Sequence, residues 1–280
     1  ANDPVWPAAH ALNARAHEVL MYRGLTEDQI QWLGHGEEGP NALPTRAALQ
    51  SALRDGSTLA ADTEVFMVYM VDHGRVAANG DGLFLLSENE TVSGPELDGW
   101  LDQLQTVHSN LAVVVVVESC FGGRVAGPMS EPDAFSSRRL VLTSSAADEL
   151  AHLAAGGLVS YSTMWWSSVA SGKTLGVAHD DATAAMISLQ TAQTSSGGIT
   201  LAAGKLGLDG VASAGRPVVV AAVGDIQLQG TQETRLAVTV ESPFTVERVW
   251  GVVVPPGYRT TGDAPVVDLT QVNLAKESGS

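Results

Sequence analysis

A single cysteine, Cys120, stands among 280 residues, so no disulfide can close within the chain and stability rests on burial and hydrogen bonding. A lone thiol is either an inert core filler or a reactive group. Basic residues are scarce too: 15 lysines and arginines face 31 aspartates and glutamates, for a formal net charge of -16. Such a balance argues against nucleic acid and anionic membrane surfaces as partners, since both are polyanions. No run reaches the roughly 18 apolar residues of a membrane span, and the opening Ala1-Asn2-Asp3-Pro4 has neither the basic nor the apolar region of a signal peptide. Cysteines or histidines at the close spacing of a structural zinc site are missing. Neither G-x-G-x-x-G nor G-x-x-x-x-G-K-S/T surrounds Gly122-Gly123, which leaves no dinucleotide or phosphate loop there. No metal and no cofactor is expected.

What the chain does hold is a strand of five consecutive valines, Val113 to Val117, running into Glu118-Ser119-Cys120-Phe121-Gly122-Gly123. The run is too short for a helix and too apolar for a half-exposed strand, so it reads as the centre of a parallel sheet covered on both faces. Polar residues just past the carboxyl end of such a strand sit where open α/β sheets place their ligands. The glycine pair lets the backbone turn sharply and approach a bound molecule. A second strand, Val65 to Val71, runs into Asp72-His73-Gly74, 47 residues before Cys120. Parallel neighbours would bring an imidazole and a thiol to one sheet edge, where histidine can activate cysteine as thiolate. Caspase-type cysteine peptidases carry their histidine about 50 residues upstream of the cysteine. Singly, each residue has a plainer reading, a structural thiol and a surface histidine. The matched strand ends with flanking glycines favour catalysis.

At these residues the chain resembles the caspase-like superfamily, and within it the legumain-like cysteine peptidases and their bacterial relatives. Met21 to Ile30 is similar to the helix end and turn before the family's second strand, and Leu140 to Glu149 and Tyr161-Ser162 resemble the segments after its nucleophile. The resemblance covers residues 5 to about 190. It implies a caspase-like three-layer α/β/α sandwich with a mainly parallel sheet, and a thiol endopeptidase acting on a peptide or protein. Cys120 would be the nucleophile and His73 the acid-base partner, with the N–H groups of Gly74 and Cys120 holding the oxyanion. Glu118, Ser144, Ser145, Tyr161 and Ser162 would line the substrate pocket. Asp72, adjacent to His73 on an extended strand, points to the opposite face and is not assigned a catalytic part. An exported or cell-envelope location fits better than a cytoplasmic one, and the oligomeric state stays open.

The remaining pattern sets the organisation. Pro7 opens a helix whose Leu12, Ala16, Val19 and Leu20 form one apolar stripe ending at Gly24. In the family a strand precedes this helix, and here the sequence begins too late to contain it, so a fragment or a removed first strand is expected. Thr26 with Gln29 and Ser93 with Glu96 form capping boxes. Residues 30–33 read as a short strand, Pro44-Thr45 opens a second helix through Leu53, and Asn79-Gly80-Asp81-Gly82 is a turn into one arm of a hairpin. That turn lacks the remaining ligands of a 12-residue calcium loop. Leu97, Trp100, Leu101 and Leu104 mark the buried face of a helix that crosses back to the valine strand, making a right-handed βαβ unit. Val125 to Arg138 has no periodicity and reads as a loop near the site. Helices are expected over Leu158 to Ala170 and Thr174 to Ala192, with Trp165 and Trp166 in the core. Residues 1–192 form the peptidase domain, 193–215 a Ser/Gly/Ala-rich linker. Residues 216–280, with short β-runs at 217–223, 235–240 and 246–254, form a partial Ig-like β-sandwich of the kind appended to some bacterial members.

Specificity is only partly carried over. The family's Asn-specific pocket combines an acidic residue two before the cysteine with an Arg-His pair early in the chain. Glu118 matches the first, whereas Ala8 and Ala9 fall where the pair would be. A carboxylate without a cation should reject Asp before the scissile bond and accept Asn first, Arg or Lys second. Two rivals stand beside the hydrolase: a transpeptidase or ligase with the same dyad, and an inactive superfamily member kept as a binding module.

Overall fold

The computed structural model describes residues 3, 5–35, 40–54, 59–60, 63–207, 218–222, 234–241, 246, 249–253, 266–267 and 269–276. Helix α1 (Trp6–Tyr22) carries Pro7 in its first turn, where the missing N–H is not needed, and buries Ala8, Ala9, Leu12, Ala16 and Val19. The Thr26 and Gln29 box is present, the Thr26 N–H donating to Gln29 Oε1 at 2.9 Å. No strand forms over residues 30–33. The Trp32 N–H is taken by the Asn41 side chain at 2.7 Å, and Leu33 makes only an isolated bridge to Ala42. Helix α2 (Arg46–Arg54) starts where Thr45 Oγ1 accepts the Ala48 N–H at 3.1 Å.

Strand β1 (Val65–Val71) leads into a small antiparallel sheet of β2 (Gly74–Val76), β3 (Gly82–Leu85) and β4 (Thr91–Ser93). The run at 83–86 is thus the middle strand of three rather than one arm of a simple hairpin. Ser93 and Glu96 cap helix α3 (Gly94–Val107) reciprocally, as their spacing requires. The chain then returns through β5 (Ala112–Glu118), helix α4 (Gly122–Ser130), β6 (Arg139–Thr143), the two-residue β7 (Leu153–Ala154), helices α5 (Tyr161–Ala170) and α6 (Leu175–Met186), β8 (Gln193–Thr194) and the short α7 (Ile199–Ala202). The central sheet has the order β1-β5-β6-β8. Its first three strands are parallel, and β8 closes one border antiparallel. Among the described residues β1 forms the other border.

The valine run shows why the sheet is central. Val113, Val115 and Val117 enter a core with Leu49 and Leu53 of α2, Leu97 and Leu101 of α3, and Val125 of α4. Val114 and Val116 enter a second core with Val19 of α1, Trp165 and Trp166 of α5, and Ala178 of α6. Period-2 alternation along β5 therefore supplies both faces, and helices cover each, giving a mixed α/β unit of three layers. Each valine so buried contributes about 1.5–3 kcal/mol relative to exposure.

Four sequence expectations are corrected here. The loop expected from Val125 begins as α4, because Val125, Ala126 and Met129 are buried against β3 and α3, where Gly82 and Gly94 make room. A Cβ at Gly82 would lie 2.4 Å from the Val125 N, and one at Gly94 2.5 Å from the Val125 O. Helix α5 begins at Tyr161 rather than 158, since Ser160 Oγ accepts the Thr163 N–H at 3.1 Å. Helix α6 ends at Met186, after which the chain bends to give the Thr191 N–H to Glu149 at 2.7 Å. The expected linker is built into the unit as far as Gly207: β8 joins the sheet, and the Leu206 carbonyl accepts from Arg23 Nε at 2.9 Å. Beyond it, β9 (Val218–Ala222) pairs with β10 (Val238–Glu241), β11 (Val249–Val253) with β13 (Thr270–Leu274), and β12 (Val266–Val267) runs parallel to β7. The strand runs expected at 217–223, 235–240 and 246–254 overlap β9, β10 and β11, although residues 235–237 and 246 are not in strands. The sandwich proposed for 216–280 rests largely on residues outside those described.

Candidate active site

Parallel register places Val71 level with Glu118, so β1 and β5 end together and the Asp72 N–H still reaches the Glu118 carbonyl at 3.3 Å. The chain beyond β1 then lies on the chain beyond β5. A Cβ built on Gly74 would stand 1.9 Å from the Cys120 carbonyl oxygen and 3.0 Å from Ser119 Oγ. Glycine is obligatory at this contact, which brings the His73-Gly74 backbone against the cysteine. The Leu85 N–H donates to the His73 carbonyl at 3.0 Å. By the alternation of an antiparallel ladder, the neighbouring Gly74↔Phe84 pair is non-hydrogen-bonded, and the Gly74 N–H points away from β3.

Cys120 is 5% exposed, and burial pushes its thiol above the ordinary value. Its Sγ lies 3.9 Å from the Ala151 carbonyl, and no hydrogen bond joins it to His73. Burial at this position thus disfavours the thiolate. Immediately after it, Phe121 takes φ 57°, ψ 29°, the only left-handed non-glycine residue among those described. That conformation costs on the order of 1–3 kcal/mol. It turns the chain from β5 into α4, and the Phe121 N–H is anchored on the Glu149 carbonyl at 2.7 Å. Ser145 clamps the same turn: its Oγ donates to the Ser119 carbonyl at 2.8 Å and accepts the Gly122 N–H at 3.0 Å, while its carbonyl takes the Gly123 N–H at 3.0 Å.

His73 is 29% exposed at its side chain. Its Nε2 lies 3.0 Å from both carboxylate oxygens of Asp3, a partner with no sequence signal, since 70 residues separate the two. Asp72 is occupied otherwise: its Oδ1 accepts the His73 N–H at 2.7 Å, and burial raises its pKa.

Glu118 is 1% exposed and spends one oxygen on each of two backbone groups, the Tyr161 N–H at 3.0 Å and the Ser162 N–H at 2.9 Å. It thereby satisfies the amino end of α5, where a carboxylate is also favoured by the helix dipole. Burial still pushes its pKa up to about 7, against the pull of Ser162 and the Tyr161 N–H. No salt bridge among the described residues reaches it. Ala8 and Ala9 are buried in α1 and supply no cation. The hydroxyls of Ser119 and Ser144 are buried without a hydrogen-bond partner, whereas the Ser162 side chain interacts with both Glu118 and Tyr69. Tyr161 lies deeper, its hydroxyl 2.8 Å from Nδ1 of the buried His179. This gives His179 an interior context that the sequence did not reveal. The sequence-expected site residues thus divide. Cys120, His73 and Gly74 lie at the carboxyl ends of β1 and β5, Ser145 braces the turn, Glu118 is buried with Tyr161 and Ser162 at the start of α5, and Ser144 is buried just past β6, its N–H on the Val117 carbonyl at 2.9 Å.

Compared with known proteins, the chain matches no family model and no curated protein.

Proposed function

We propose that the chain is a cysteine endopeptidase of the legumain-like type in the caspase-like superfamily. The observation that carries the reading is the contact between Gly74 and the Cys120 carbonyl, which sets the histidine-bearing turn on the cysteine at paired strand ends. The strained Phe121 after the cysteine and the buried hydroxyls with spare capacity support it, since both cluster at functional sites. In the proposed reaction His73 takes the thiol proton and sulfur attacks the scissile carbonyl. The imidazolium then protonates the departing amine, and water hydrolyses the acyl-enzyme. The Gly74 N–H, left out of the β2–β3 ladder, would hold the oxyanion with that of Cys120. A ligase differs only in the last step, an amine replacing water.

An irreversible peptidyl electrophile should add once, on Cys120, and Cys120→Ala should lose labelling and turnover while keeping its fold. Full peptidase activity in that variant would end the reading. The inactive-module alternative is favoured by one observation, the thiol facing the Ala151 carbonyl instead of His73. A wild-type chain that neither labels nor cleaves would establish it. For the residue before the scissile bond, Asn ranks first and Arg or Lys second. Glu118 has no ion-pair partner among the described residues, so its carboxyl suits an amide or a cation and penalises a second carboxylate.

A further inference from the structure

We infer that Asp3 is a positioning residue that makes the proposed dyad a carboxylate-histidine-cysteine relay. The inference rests on the peptidase reading and deepens it. A carboxylate only accepts, so the nitrogen 3.0 Å from both Asp3 oxygens, Nε2, carries the hydrogen. In the neutral ring this leaves the lone pair on Nδ1. When the thiol ionises, its S–H bond breaks, an Nδ1–H bond forms, and the resulting imidazolium has the Asp3 charge as counter-ion while sulfur becomes the thiolate.

The carboxylate is held in place by structure as well as by charge. The Val5 N–H donates to Asp3 Oδ1 at 2.9 Å, tying the side chain to the start of α1. Helix α1 is packed through Val5, Ala8, Ala9 and Leu12 onto Val71, two residues before His73, and onto Leu153, two residues after the Ala151 that touches the thiol. One small apolar cluster therefore fixes the three segments bearing carboxylate, imidazole and sulfur contact. Burial raises the Asp3 pKa, but the bonds from His73 and from the Val5 and Trp6 N–H groups prevail and leave it below the usual carboxylate value. Asp3 is thus ionised throughout the neutral range.

The test uses the full chain with Asp3→Asn and Asp3→Ala. Asn keeps an acceptor for both the Val5 and the Nε2 hydrogens and removes the charge, so it separates charge from folding. Two rates are measured: carboxamidomethylation of Cys120 by iodoacetamide, followed by mass, and cleavage of a fluorogenic peptide chosen from a library. Both variants should slow labelling and lower kcat by about tenfold to a hundredfold, the scale of losing an orienting partner, with KM little changed. Added formate should restore a substantial part of the Asp3→Ala rate, and equal chloride should not. Unchanged rates in both variants with an active wild type would overturn the role of Asp3 alone. Faster labelling in Asp3→Ala would also overturn it, because the carboxylate would then be blocking the imidazole. A wild type without turnover would overturn the peptidase reading, and the relay with it.

Discussion

At the scale of single residues, Glu118 makes a pH-dependent contribution whose sign is fixed by its raised pKa. Below about pH 4.5 the group is protonated folded and unfolded alike. Between there and about 7 the unfolded chain loses the proton that the folded chain keeps. Stability from this group therefore falls as pH rises through that window, by on the order of 3 kcal/mol in all. Urea denaturation at pH 4.5 and pH 8 should show wild type losing more stability than Glu118→Gln over the interval, and parallel losses would contradict the assignment. The same titration bears on specificity: cleavage after Arg or Lys should rise across pH 7 as the carboxylate forms, whereas cleavage after Asn should not follow it. Gly74→Ala should lose labelling and about 1–3 kcal/mol of stability, because the new Cβ falls inside the Cys120 carbonyl and the turn must move. His73→Ala should reduce turnover by about a hundredfold with an unchanged circular dichroism spectrum. The positions of His73, Gly74 and Cys120 were legible because apolar runs announce strand ends. Asp3 was not, because nothing local reveals which distant carboxylate a fold will deliver.

At the scale of elements, the ends of the central strands serve different needs. The carboxyl ends of β1 and β5 carry the site. The amino end of β6 carries Arg139, 1% exposed at its side chain, which bonds Asp98 at 2.6 Å, Asp102 at 2.9 Å and Gln105 Oε1 at 2.6 Å. The network clasps α3 to the sheet. Removing Arg139 leaves a void and an unpartnered Gln105 oxygen, while the two aspartates are partly solvated. Arg139→Ala should therefore cost about 2–4 kcal/mol, the lower side of breaking a buried pair. Thiol labelling of the folded fraction should not change, since the network lies at the far end of the strands. A loss of labelling without a loss of stability would reverse this division. Capping boxes were legible in the sequence because they are local. Helix α4 was not, because Gly122, Gly123, Gly127 and Pro128 argue against a helix. Burial of Val125, Ala126 and Met129 overrides them. The glycines at 82 and 94 that receive α4 are remote in sequence.

At the scale of the whole molecule, the three-layer unit extends further along the chain than composition suggests. The Ser/Gly/Ala-rich stretch to Gly207 looks like a tether, yet it contributes β8 and α7. Composition registers the absence of apolar periodicity there, whereas the fold needs only two residues to pair with β6 and one short turn to return. Among the described residues no helix is long and apolar enough to cross a membrane.

The border position of β1 has a consequence for how copies of this chain behave together. Its outer backbone amides and carbonyls meet no strand among the described residues, and Val65 at its start is 46% exposed. An apolar border of this kind is a template on which another strand can grow. The net charge of -16 opposes such an encounter, and the opposition shortens from about 30 Å at 0.01 M salt to about 3 Å at 1 M. Colloidal behaviour should then invert the usual salt dependence of an ion-paired contact: sedimentation should report monomers at low ionic strength and larger species as salt is added, with Val65→Lys suppressing them. A single monomeric boundary at every salt concentration would show that the border is already shielded.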